Sequence, residues 1–204
     1  ELISLTAFYK LIKNPISRIE VASAGGYLSY ENIADKATVA GVEVEVRKNL
    51  FVRPLSSAAN GMNKLSFGLN GSYIYTNAKM PLATVTTGSQ LEGAAPWIAN
   101  FDLSHNFTKG THSFINTLVF NYVSDKIYTI GTQGYQDIME QGMMTLDFVS
   151  QAKLNKYVSL TLKARNLLNP SYKLSRKANE SGEKVVLSDY KKGINISLGV
   201  SCTF

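Results

Sequence analysis

YKKGINISLGVSCTF, Tyr190 to Phe204, is the stretch on which the fold of this chain turns. From Ile194 onward the even positions are Ile194, Ile196, Leu198, Val200, Cys202 and Phe204, and the odd ones are Asn195, Ser197, Gly199, Ser201 and Thr203. Side chains on a strand point alternately to opposite faces, so this period of two predicts a strand with one dry side and one wet side. At about eleven residues it is long enough to cross a bilayer at a tilt. A terminal strand of a water-soluble β-protein would alternate in the same way, so the decision falls to the rest of the chain.

Working back from that stretch, seven more segments alternate. They are expected at about Leu2 to Lys13, Thr38 to Lys48, Lys64 to Tyr75, Trp97 to Phe107, His112 to Ser124, Met144 to Leu154 and Val158 to Arg165. The face of the fifth is ambiguous, although Leu118, Phe120 and Tyr122 are expected on the apolar side. Asn14-Pro15, Gly25-Gly26, Asn60-Gly61, Pro81, Gly88, Lys109-Gly110, Asn155-Lys156, Asn169-Pro170 and Ser181-Gly182 punctuate the chain as turns and loops. Connections run long, medium, long, very short, long, very short, long. Only Asn49 to Asn63 is longer than a short-side turn should be. The pattern is all-β, an antiparallel up-and-down meander of about eight strands.

Composition narrows the class. The 204 residues are 45% hydrophobic with a mean hydropathy of -0.05, yet no run of eighteen apolar residues occurs, which excludes a transmembrane helix and leaves a membrane-crossing sheet open. A net charge of +6 comes from scattered lysines, without a basic helix or an RNA-binding aromatic pattern, so no nucleic-acid partner is expected. The lone Cys202 forms no internal disulfide, and His105 and His112 lie in no metal-binding motif, so neither metal nor cofactor is expected. Glu43 and Glu45 share a face with Arg47 and read as charges of a wet interior, not as a catalytic acid and base. No catalytic constellation is found, and the chain is not expected to be an enzyme.

In a lipocalin-like soluble barrel the polar faces would meet bulk water and be dense in Lys and Glu. Here those of the third, fourth and last strands are mostly Ser, Asn, Thr and Gly, which suits the interior of a transmembrane barrel. Aromatic residues near strand ends, Tyr75, Trp97, Phe107, Tyr122, Tyr157, Tyr190 and Phe204, suit its interfacial girdles.

The ending resembles the C-terminal insertion signal of bacterial outer-membrane barrels, with Ser197, Gly199, Cys202 and Phe204 at the signal positions and Cys202 where an aromatic is usual. Three further segments resemble TonB-dependent outer-membrane receptors of the Bacteroidetes form: YENIADKATVAGVEVEV (Tyr30 to Val46), EGAAPWIANFDLSH (Glu92 to His105) and LKARNLLNPSYK (Leu162 to Lys173). The resemblance implies a barrel of about 22 strands with a plugged lumen, of which residues 1–204 supply about the last eight strands, the plug and first strands being absent. It implies energised uptake of a scarce nutrient such as a metal chelate, vitamin or glycan at the cell outer membrane. The partners it implies are membrane lipid, the barrel-assembly machinery and a TonB complex reached through the missing N-terminal part.

Residue 1 begins inside an alternating pattern with no basic segment before it, which fits a section of a larger protein. The alternatives are a self-contained eight-stranded outer-membrane barrel with a structural or adhesive role, and a soluble lipocalin-like binding barrel. The ligand is not legible. Loop-borne tyrosines Tyr27, Tyr30, Tyr128 and Tyr135 are the substrate-binding candidates, because binding residues concentrate on loops carried by a rigid scaffold.

Overall fold

A computed structural model of the chain describes residues 1–21, 26–55, 61–80, 90–132, 134–178 and 182–203. Phe204, Gly25, Asn60, Pro81, Gly88 and Ser181 lie outside the described residues. In chain order the strands are β1 (Leu2–Lys13), β2 (Ile16–Glu20), β3 (Leu28–Asn32), β4 (Lys36–Pro54), β5 (Gly61–Ala78), β6 (Trp97–Lys109) and β7 (His112–Val123). They continue as β8 (Lys126–Thr129), β9 (Ile138–Glu140), β10 (Met143–Lys153), β11 (Val158–Arg165), β12 (Ser171–Lys177), β13 (Lys184–Lys191) and β14 (Asn195–Cys202).

Eight of them form one antiparallel wall in the order β1-β4-β5-β6-β7-β10-β11-β14, the expected meander. The wall is open, with β1 and β14 as its edges. Register confirms the faces: Leu118, Phe120 and Tyr122 lie opposite Leu103, Phe101 and Ala99 on the apolar side. Ten residues separate Trp97 from Phe107 along β6, which at about 3.4 Å per residue and a tilt of about 40° spans about 26 Å, the height of an outer-membrane apolar band. Tyr73 and Trp97 pack with ring centroids 4.6 Å apart at one end, and Phe107 and Phe114 at 6.4 Å at the other. Polar exceptions on this face come in pairs, His105 Nε2 with Asn63 Oδ1 at 2.9 Å and Ser150 Oγ with Asn116 Oδ1 at 2.7 Å. A polar group turned toward an apolar layer needs such a partner.

The opposite face carries a row of amides and hydroxyls, Asn70, Asn100, Asn121 and Thr145, in register across four strands. Arg47 Nε donates to Glu45 Oε1 at 2.6 Å, the pairing expected of interior charges. Phe8, which breaks the polar pattern of β1, covers Gly41, where an added Cβ would stand 2.4 Å from the ring. The ring fills the space that the glycine leaves.

The turns explain the connection lengths. Gly110, with φ 59, is the first of two residues joining β6 to β7, where a type II′ hairpin requires glycine. Asn155 Oδ1 accepts the N–H groups of Tyr157 and Val158 at 2.8 and 2.9 Å and closes the β10–β11 turn. The over-long Asn49 to Asn63 connection is corrected: a bulge at Asn49/Phe51 lets pairing continue to Pro54↔Met62, leaving residues 55–60 between β4 and β5. Proline is tolerated there because β1 pairs with β4 only as far as Arg47, which leaves that side of β4 an open edge at Pro54.

Three expected loops also carry strands. β2–β3 is a hairpin, and β13-β12-β9-β8 is a four-stranded sheet whose order mirrors β14-β11-β10-β7 in the wall. Each of these strands continues a wall strand beyond a kink. The terminal strand is therefore shorter than expected, ending its neighbour at Lys191 and itself running Asn195–Cys202. Tyr190 belongs to this extension, packed 5.1 Å from Tyr172, and not to a girdle on the wall.

The extensions lean over the polar face. β1 and β7 are four steps apart in the wall, about 19 Å at about 4.8 Å per step. Yet β2 meets β8, with Ile130 N donating to Arg18 O at 3.0 Å and Glu20 N to Ile130 O at 3.3 Å. Beneath this junction Ile19, Ile33, Ala34, Leu91, Ile127 and Ile130 pack on Ala37 and Ala78, which are in register with the polar face of β4 and β5. The buried core of the molecule thus lies under its cap, at the end carrying the long connections.

Candidate functional site

The kink between wall and extension is built from residues that tolerate unusual backbone. Asn166, Asn169 and Gly193 have φ of 58, 44 and 82, values that asparagine and glycine adopt with least strain. Side chains lace the bend. Asp147 Oδ1 accepts the Asn166 N–H at 2.8 Å, Asn166 Nδ2 donates to Gly193 O at 2.7 Å, and Gly193 N donates to Asn169 Oδ1 at 3.1 Å. Across the sheet Gly142 N donates to Asp125 Oδ1 at 2.6 Å, and a Cβ on Gly142 would lie 2.6 Å from Val123 O. Backbone passes too close there for any other residue.

Two adjoining recesses open along this crease. One of about 380 Å³ is lined by wall residues Thr145, Asp147, Arg165 and Asn195 and by extension residues Tyr172 and Lys192. The other, about 170 Å³, shares Thr145 and adds Asn121, Lys126 and Glu140. The first has the volume of a small-molecule site, with Arg165, Lys192 and Asp147 as its charged groups. A further apolar groove of about 440 Å³ around Gly71, Tyr73 and Trp97 lies on the other side of the wall.

Above the crease the extension is held by charge. Arg18 pairs with Glu92 at 3.3 Å, its own N–H donates to Glu92 Oε2 at 2.5 Å, and its guanidinium lies 4.2 Å from the Tyr128 ring and 6.0 Å from that of Tyr30. Burial pulls the Arg18 pKa down, but Tyr128, Glu92 and Tyr30 outweigh it and hold the group above its ordinary value. Arg176 pairs with Glu20 and lies over Tyr135 at 5.4 Å. Lys126 pairs with Glu140 at 3.3 Å, and Tyr172 Oη donates to Glu140 Oε2 at 3.3 Å. Burial, then the Glu140 charge and that hydrogen bond, push the Tyr172 hydroxyl up to about 12.

Of the four candidate tyrosines, Tyr30 and Tyr128 are brought together on Arg18, and Tyr135 stands apart on Arg176. Tyr27 is 70% exposed near the start of β3, where its carbonyl accepts the Val21 N–H. In the terminal strand Ser197 and Gly199 pair with Lys163 and Thr161 on the polar face, and Cys202 pairs with Val158 on the apolar one. Arg18, Glu20, Glu92, Arg165, Tyr172, Arg176 and Lys192 were not named as binding residues from sequence, although Glu92, Arg165 and Tyr172 fall within the segments that carry the resemblance. Arg18–Glu92 spans 74 positions and Arg176–Glu20 spans 156, so no local motif marks either pair. The alternation of Tyr172 and Leu174 with Lys173 and Ser175 was the one available signal that a strand, β12, crosses this region.

Searches of curated proteins and of solved structures return no match. The family model described as TonB dependent receptor-like, beta-barrel matches residues 1–167, most of the chain, from β1 through β11 into the crease.

Proposed function

The chain belongs to the TonB-dependent receptor β-barrel family, a family of outer-membrane transporters, and from that premise we propose that residues 1–204 form the C-terminal section of a larger plugged barrel. Its cargo is a scarce nutrient such as a metal chelate, vitamin or glycan, and its uptake is energised through a TonB complex. The observation that carries this reading is the open eight-stranded wall, apolar on one side and amide-rich on the other. Two unpaired edges are a liability in a free sheet and are relieved when further strands close the barrel. Ser197, Gly199 and Cys202 of β14, with Phe204 two positions on in the sequence, serve as the insertion signal for the barrel-assembly machinery. The cap and crease present the surface that a ligand meets first, and Tyr30 and Tyr128 on Arg18 belong to that surface.

An immunoblot of isolated outer membranes, run boiled and unboiled with an antibody against residues 173–189, tests the first part. A heat-shifted band several times heavier than 22.4 kDa is expected. A heat-shifted band at 22.4 kDa would identify a self-contained small barrel and overturn the proposal. Transport is tested by nutrient accumulation in cells with and without functional TonB, where equal accumulation sinks the energised-uptake reading.

A further inference from the structure

We infer that the crease recognises an anionic group on the transported ligand, a carboxylate or a phosphate, through Arg165 and Lys192. The inference rests on the transporter reading and adds a ligand chemistry to it. The larger recess, about 380 Å³, holds two cations and one carboxylate. Asp147, the carboxylate, already accepts the Asn166 N–H through Oδ1. Arg165 makes no ion pair with any described residue, and neither does Lys192, whose ammonium lies 5.5 Å from the Tyr172 ring centroid.

Neighbouring acids are engaged elsewhere. Glu140 takes Lys126 and the Tyr172 hydroxyl, and Asp189 takes Lys173 at 3.2 Å. The polar faces of β11 and β14 bring no carboxylate: they carry Ser159, Thr161, Lys163 and Arg165 opposite Ser201, Gly199, Ser197 and Asn195. The crease is therefore a concave site with a net positive charge, continuous with a further cation, Lys163, down the same wall. A guanidinium offers paired donors in a plane that matches a carboxylate or phosphate. A ring beneath Lys192 positions the ammonium without using an anion to do so. Thr145 and Asn195 supply neutral donors for the remaining ligand oxygens.

The test uses the full receptor purified from outer membranes and equilibrium dialysis with three probes: benzoate, inorganic phosphate and benzamide. Saturable binding of benzoate or phosphate, but not of benzamide, is expected, and whichever anion binds separates a carboxylate ligand from a phosphate one. The double variant Arg165→Gln/Lys192→Gln should weaken anion binding by at least about tenfold, because it removes both charge-assisted contacts and leaves only the neutral donors Thr145 and Asn195. Arg165→Lys/Lys192→Arg should retain most of it, and Lys153→Gln, at the far end of β10, should leave it unchanged. Boiled and unboiled mobility verifies that each variant is a folded barrel. Binding of neither anion by the wild type, equal binding of benzamide, or undiminished binding by the glutamine double variant would each overturn the inference. Anion binding that persists without TonB-dependent accumulation would overturn the transport reading and leave the crease site standing.

Discussion

Ile130→Ala should unlatch the cap while leaving the wall intact. Ile130 has no solvent exposure and packs with Ile19 and Ile127, and its N–H and C=O make the two backbone bonds that join β8 to β2. Removing a buried isoleucine down to alanine costs about 2–5 kcal/mol, through lost transfer energy and the cavity left behind. At about 1.4 kcal/mol per tenfold, local opening becomes about 30-fold to about 4,000-fold more frequent. Native-state amide exchange reports that opening directly. Peptides covering residues 16–20 and 126–130 should exchange faster by that range, while peptides from β6 and β10 keep their wild-type rates. The reasoning fails if residues 16–20 keep their protection, because β2 would then be held by something other than this junction. It fails equally if β6 and β10 accelerate in step, because the core under the cap would then not be a separate cooperative unit.

Three more perturbations separate the contributions. Gly142→Ala places a Cβ 2.6 Å from Val123 O, and since backbone cannot yield as a flexible side chain would, the variant should be destabilised by about 1–3 kcal/mol, read as a lower urea midpoint for loss of the heat-modifiable form. A double-mutant cycle on Arg18→Ala and Glu92→Ala should give a coupling of about 1–3 kcal/mol in cap protection, and strict additivity would show that the pair is incidental. Tyr172 holds its proton more tightly folded than unfolded, so its contribution to cap stability is complete below about pH 10 and is lost as pH climbs toward about 12. The wild type minus Tyr172→Phe difference in absorbance at 295 nm should titrate near that upper value; a midpoint near 10 would refute the shift.

How much of this was legible depended on the range over which the signal is written. The wall follows from period-two alternation, a property of a dozen adjacent residues, and its eight strands were all readable; the register of β7, partly apolar on both faces, was not, and it is fixed by Phe120 and Tyr122 lying opposite Phe101 and Ala99. Strand ends were not. Lys36, Ala37, Asn77 and Ala78 extend β4 and β5 because the cap gives their polar-face positions an apolar cover that no neighbouring residue specifies. The extension strands β2, β3, β8, β9, β12 and β13 are short, some of three to five residues, and alternation over so few positions does not stand out from a polar loop. The crease failed to show itself for a different reason. Asp147, Arg165, Tyr172 and Lys192 meet only because three wall strands kink in step.

Wall and cap rest on different physics, and that division bears on how such a receptor changes its ligand. The wall is held by long backbone ladders such as the seventeen-pair β4–β5 register, which ends Ala37↔Ala78 and Pro54↔Met62, and by an apolar face whose requirement is only hydrophobicity. The cap has a small core and relies on ion pairs and cation–ring contacts at Arg18, Lys126 and Arg176. Substitutions at Arg165 or Lys192 touch neither the core residues under the cap nor the apolar face of the wall, whereas Tyr172 shares Glu140 with the cap's Lys126. Residues that neither touch nor share a partner act close to additively on stability. A change of ligand chemistry in the crease therefore need not cost barrel assembly. A change in Ile130 or Ala78, by contrast, would alter the geometry of every side chain the cap presents.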